Sequence, residues 1–124
     1  MVELLLGSAR GEAVAEVIRD RGAESHLHAP DLMDVEVAQV LRRHTALGTL
    51  IEARAEGAIE LLQRLPLTRH PARILLPRIW ALRGTLTAYD AAYVSLAEAL
   101  GATLLTCDGR LAGAPGHGAH VVAA

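Results

Sequence analysis

The chain has no phenylalanine, one tryptophan and two tyrosines in 124 residues. With so few rings, the aromatic platforms on which single-strand binders stack bases are nearly absent. One cysteine, Cys107, excludes an internal disulfide and a cysteine-based metal cluster, and fits a reducing cytoplasm. Positive charge is not in excess. Twelve basic residues against fourteen acidic ones leave a formal net charge of −2, so no global field draws nucleic acid and a polyanion would have to be met by a local patch. No apolar run approaches the roughly 18 residues of a membrane helix. The start carries no basic region ahead of an apolar one, so neither a signal peptide nor a membrane partner is expected. There is no GxxxxGKS/T and no GxGxxG placed after a strand, which argues against a nucleotide cradle. Repeats, low-complexity tracts and linkers are missing too.

What is present is a folded composition, 52% hydrophobic and 21% charged, with length for one domain and a real core. Helical spacing runs from Gly11 to Arg21, and Glu24 to Ala29 reads as a short strand. Pro30 is placed to open a helix over Asp31 to Leu47, which Gly48 stops. Thr49-Leu50-Ile51-Glu52 has the pattern of a capping box for a helix reaching Leu65. Leu67 to His70 reads as extended, and Ala72 to Arg83 as helical with Pro77 near its first turn. Thr87 is a candidate N-cap with Asp90 three residues on, and Gly101 sits where a helix end favours a left-handed residue. A buried-strand run over Thr103 to Thr106 comes next. A Gly- and Ala-rich loop, Gly109 to Gly118, leads to a last strand, His120 to Ala123. Short strands alternating with helices predict an α/β domain with a mostly parallel sheet. Its crossovers place the strand carboxyl ends on one edge, where open sheets bind ligands.

Three acids stand out. Glu36 lies in a row with Leu32 and Val40, beside Val35, Val37 and Leu41, so it is a carboxylate within an apolar stripe, where such groups are paired, protonated or metal-bound. Asp90 and Asp108 are brought toward one edge by a single helix–strand unit. Converging carboxylates are what Mg²⁺ or Mn²⁺ require. Each acid also has a plain structural role open to it: Asp90 as a cap, Asp108 in a turn with Gly109, Glu36 as partner of Arg42 or Arg43. Thr106, two before Asp108, can bond a carboxylate or a water at such a site. Arg42, Arg43, Arg69, Arg73, Arg78 and Arg83 are candidates for a phosphate-binding surface, because the guanidinium fork matches phosphate oxygens. Arg43 shares a helix face with Glu36. His26 and His28 form an HxH without an evident third ligand, so zinc is not expected. Cys107 has no nearby histidine and sits beside an acid, which raises a thiol pKa, so it reads as a packing residue.

Three segments in order, Asp31-Leu32-Met33-Asp34-Val35-Glu36-Val37, Leu86-Thr87-Ala88-Tyr89-Asp90-Ala91-Ala92-Tyr93 and Leu104-Leu105-Thr106-Cys107-Asp108, resemble PIN-domain proteins. More narrowly they resemble the VapC toxins of bacterial toxin–antitoxin pairs, over essentially all 124 residues. The resemblance implies a three-layer α/β domain and a divalent-metal-dependent endoribonuclease acting on tRNA or rRNA. It implies Mg²⁺ or Mn²⁺ on Glu36, Asp90 and Asp108, with Thr106 as the strand-end hydroxyl; for such a substrate Arg43 and Arg83, from the arginine set above, are the expected RNA contacts. A homodimer and a VapB-type antitoxin are implied as partners. The family also begins with a central strand ending in a metal-binding Asp, whereas Val2-Glu3-Leu4-Leu5-Leu6-Gly7 resembles the family's segment just after that strand. The expectation is therefore an N-terminally truncated PIN domain, explained first by a misplaced start codon. The alternative is a PIN remnant that binds antitoxin or dimerises without cutting.

Overall fold

Thr87 and Gly101 bracket the most buried of the described helices. In a computed structural model that describes residues 1, 9–21, 26–106 and 110–123, the elements are α1 (Ala9–Asp20), β1 (Leu27–Pro30), α2 (Leu32–Ala46), α3 (Glu52–Arg64), β2 (Leu67–His70), a 3₁₀ turn (Ala72–Leu75), α4 (Leu76–Ala81), α5 (Ala88–Leu100), β3 (Thr103–Thr106), α6 (Arg110–Gly113) and β4 (His120–Ala123). The apolar stretch at the start, the beginning of the expected Glu24–Ala29 strand, Cys107, Asp108 and Gly109 lie outside the described residues. No helix among the described residues is long and apolar enough to cross a membrane. The fold is mixed α/β, as predicted. In place of one mostly parallel sheet, the described strands form two two-stranded ladders, β1 with β2 and β3 with β4. The central strand that the resemblance implies is not among the described residues. With four residues per strand, each ladder is short.

The chain divides into two compact units, Met1–Thr68 and Arg69–Ala124. In the first, α2 packs on α3. Its buried row is Met33, Val37 and Leu41, one position along from the row read in the sequence. Leu32, Glu36 and Val40 form the half-buried edge of that row, and Val35 is 72% exposed. Pro30 ends β1 rather than opening α2, whose N-cap Asp31 makes no capping bond. The capping box at Thr49 also does not form. The Thr49 hydroxyl donates to the His44 carbonyl at 3.1 Å and lies 3.0 Å from His44 Nδ1, so it closes the preceding helix. α3 starts later, behind an Ile51 N-cap with no side-chain bond.

In the second unit the local rules hold. The Thr87 hydroxyl accepts from the Asp90 N–H at 3.2 Å, and Gly101 ends α5 in the left-handed region at φ 60°. Ala91, Ala92, Val94, Ser95, Leu96 and Ala97 are all buried, on nearly every side of the helix. Alanine on several faces lets neighbouring elements approach closely, and α4, the 3₁₀ turn and β3 all pack on α5. β3 and β4 are parallel, with Thr103 opposite His120 and Thr106 opposite Ala123, so their carboxyl ends share one edge. Pro77 sits in the first turn of α4, where a missing N–H costs nothing. The expected Gly-rich loop contains one helical turn, α6.

The 114–119 loop is tied down by charge. Arg78 Nε donates to Glu98 Oε1 at 3.1 Å and Nη2 to Oε2 at 3.0 Å. Nη2 also donates to the Gly116 carbonyl at 3.0 Å, and the Gly118 N–H donates to Glu98 Oε2 at 3.4 Å. His117 joins the same loop: Nε2 faces the Leu111 carbonyl at 2.8 Å while Nδ1 accepts from Ala119 N–H at 3.2 Å, which assigns the proton to Nε2. The Arg78 hydrogen bond holds the Glu98 carboxyl below its ordinary value of 4.5, against the opposing effect of burial. A carboxyl depressed on folding adds stability above its unfolded pKa and loses it as pH falls through the folded one. Glu98→Gln is therefore expected to be less stable than the parent near neutral pH by about 1 kcal/mol, with the gap closing in acid below about pH 4. Urea midpoints of both proteins across that range check it; a gap independent of pH counts against the assignment.

Candidate functional site

α5 and β3 together place the predicted residues of the second unit. Asp90 occupies the first turn of α5 and is half-buried. Its backbone N–H serves the Thr87 cap, but among the described residues no hydrogen bond returns from its carboxylate to Thr87. The cap therefore uses the Asp90 amide rather than its carboxylate. α5 ends at Gly101, and β3, which follows it, packs on α5. A 13-residue helix is about 20 Å long and a four-residue strand about 13 Å. Half-buried Thr106 is the last residue of β3. Asp108 lies outside the described residues.

Glu36 belongs to the first unit, in the second turn of α2, half-buried at the edge of the Met33–Val37–Leu41 row. Arg43 is exposed two turns further on. Arg42 Nε donates to Gln39 at 3.0 Å instead of to an acid. Among the described residues no three His, Cys, Asp or Glu side chains gather in metal-binding range. The donor types on offer, carboxylate and hydroxyl oxygens, still suit a hard divalent cation rather than zinc. A shallow groove of about 510 Å³ between α2 and α3, with Leu41, Arg42, Glu52 and Glu56 among its lining, includes the phosphate candidate Arg42 but none of the expected metal-binding acids.

The arginines separate by environment. Arg78 is consumed by Glu98 and the Gly116 carbonyl, which removes it from the predicted phosphate-binding surface. Its ion-pair partner lies twenty residues away, so no local pattern announces it. Arg83 is exposed. Its Nη1 donates to the Trp80 carbonyl at 2.9 Å and its guanidinium lies 4.8 Å from the centroid of the Trp80 ring. Nothing in the sequence singles out Trp80, because its 68% exposure is not readable from helical spacing.

Comparison with known proteins gives these positions a family. A profile of the PIN domain matches residues 1–116. Ribonuclease VapC3 of Mycobacterium tuberculosis is 43% identical over 112 residues, covering 90% of this chain and 80% of that protein. Ribonuclease VapC12 of the same organism is 38% identical over 120 residues, 97% of this chain and 90% of the relative. Ribonuclease VapC1, also from that species, is 42% identical over 117 residues, 94% and 86% of the two chains. Matches of this extent and identity make the chain a member of the PIN-domain family, related to the mycobacterial VapC ribonucleases.

Proposed function

We propose that this chain is a divalent-metal-dependent endoribonuclease of the toxin type, hydrolysing phosphodiester bonds in tRNA or rRNA. The observation that carries the reading is the Asp90 carboxylate, left unused by its own helix cap, in a chain 38–43% identical to VapC ribonucleases along most of its length. Asp90, Asp108 and Glu36 are the residues that would hold Mg²⁺ or Mn²⁺. Bound there, the ion supplies an activated water and neutralises charge that builds on the phosphate during in-line attack. Thr106, at the carboxyl edge of β3, orients a carboxylate or a water by hydrogen bonding. Arg43 and Arg83 meet RNA phosphates. The protein works as a homodimer in the cytoplasm, held inactive by a VapB-type antitoxin; this part rests on the family alone.

Incubating the purified chain with total tRNA or rRNA and Mg²⁺ or Mn²⁺ tests the proposal. Discrete fragments are expected with either ion, and none after chelation with EDTA. Cleavage that is indifferent to chelator, or absent with both ions, rules the reading out.

A further inference from the structure

The three aromatic side chains of this protein are Trp80, Tyr89 and Tyr93. Two of them stand in solvent: Trp80 is 68% exposed and Tyr89 64%. Burying a large ring removes about 150–250 Å² from water, so a chain with so few rings has left its largest one out of the core. Trp80 is also not bare. The Arg83 guanidinium lies over its indole, 4.8 Å from the centroid, and is anchored by the 2.9 Å bond to the Trp80 carbonyl. Within five residues the same stretch carries two arginines of opposite fate. Arg78 is neutralised by Glu98, whereas Arg83 has no carboxylate partner among the described residues. Around them the segment 69–124 holds five arginines against three acids, while the whole chain is net negative. That segment is thus net positive in sequence, which the whole chain is not.

A held guanidinium beside an exposed indole suits a polyanion with flat faces. The remaining fork N–H groups match phosphate oxygens, and the indole offers a stacking surface to an unpaired base. Cation–π attraction keeps the two groups together and lowers the ordering cost on binding. We propose that Trp80 and Arg83 form a contact for single-stranded RNA, a base stacking on Trp80 with an adjacent phosphate on Arg83. The choice of RNA as the polymer rests on the nuclease reading above. Seven residues separate Arg83 from Asp90, a chain reach of at most about 25 Å, so the contact lies within a few nucleotides of the proposed cleavage point. The ring-poor composition thus misleads: one well-placed indole is enough for one stacked base.

Trp80 is the sole tryptophan, so tryptophan emission reports this site alone. The test is a titration of the full chain in EDTA with a fluorophore-labelled single-stranded RNA of about twelve nucleotides, following anisotropy and tryptophan emission together. Saturable quenching at the anisotropy midpoint is expected. Trp80→Leu raises Kd about tenfold, Trp80→Phe raises it less, and Arg83→Ala raises it about tenfold with a shallower salt dependence. Emission unchanged at saturation, an affinity unchanged in Trp80→Leu, or no RNA binding at all overturns the contact. So does a Trp80→Leu variant whose RNA affinity holds while its sedimentation shifts to a smaller species, since that gives the face to a protein neighbour. Quenching without metal-dependent cleavage sinks the nuclease reading and keeps the contact; cleavage without quenching does the reverse.

Discussion

Asp90→Asn is expected to lower RNA cleavage by at least about a hundredfold while leaving the fold in place. The magnitude comes from ligand chemistry: even groups that only support metal ligands cost about 10- to 100-fold when changed, and here a proposed ligand itself loses its charge. The structural cost is small because the α5 cap is made by the Asp90 N–H, at 3.2 Å from the Thr87 hydroxyl, and asparagine keeps that N–H. What is lost is a negative charge in the first turn of a helix, worth about 0.3–1 kcal/mol. Thr87→Ala is the matched control. It removes the cap and about 1 kcal/mol of stability but leaves the carboxylate, so it should cut nearly as well as the parent at temperatures below its melting point. A fluorogenic RNA assay with Mn²⁺, paired with thermal melts, reads both quantities. The proposed role of Asp90 does not survive if Asp90→Asn cuts within about twofold of the parent, or if Thr87→Ala abolishes cleavage as fully.

The cap itself is legible in the sequence, and the reason is local. An N-cap and a left-handed glycine act within one helical turn, so Thr87 and Gly101 can be assigned from spacing, and both stand as expected. The strands at Leu67–His70, Thr103–Thr106 and His120–Ala123 are likewise bounded by nearby residues, and they occur where the sequence puts them. The errors share a different cause. Thr49 has the spacing of a capping box, but its hydroxyl is taken by His44 of the preceding helix, and a pattern cannot say which of two helix ends claims a hydroxyl. Val35 is apolar and sits beside Glu36, yet it faces solvent, because residue type does not fix the angle at which a helix meets its neighbour.

The candidate site divides in the same way. Asp90, Thr106 and Glu36 stand out by motif and position, and the backbone puts Asp90 in the first turn of α5 and Thr106 at the carboxyl end of β3. What spacing cannot provide is how each charge is spent. Arg78 and Arg83 look equivalent in sequence. One is locked to a glutamate twenty residues on, and the other rests on an indole. Ion pairs and ring contacts of that range depend on packing, and packing is set by the whole fold.

Leu82→Ala carries the largest stability effect expected in the second unit. Leu82 is 3% exposed and caps α4. Its carbonyl accepts from Thr85 N–H at 3.1 Å and Leu86 N–H at 3.0 Å, forming the turn that leads into α5. Its side chain reaches the C-terminal loop: a Cβ on Gly116 would lie 3.9 Å from Leu82 Cδ2, at a backbone position whose φ of 91° already favours glycine. Alanine keeps every backbone bond of the turn, so the substitution isolates packing. Buried Leu→Ala changes cost about 2–5 kcal/mol, a large share of a typical 5–15 kcal/mol. Leu76→Ala on the same helix makes the identical chemical change at a site that is 55% exposed, and should cost no more than about 0.5 kcal/mol. Because Arg78 and Glu98 hold the same loop through the Gly116 carbonyl and the Gly118 N–H, Leu82→Ala and Glu98→Gln should couple rather than add, by about 0.5 kcal/mol or more. Urea unfolding of the single and double variants measures all three quantities. Equal losses at Leu82 and Leu76, or strict additivity with Glu98→Gln, would mean that the loop is held independently of the turn beneath it.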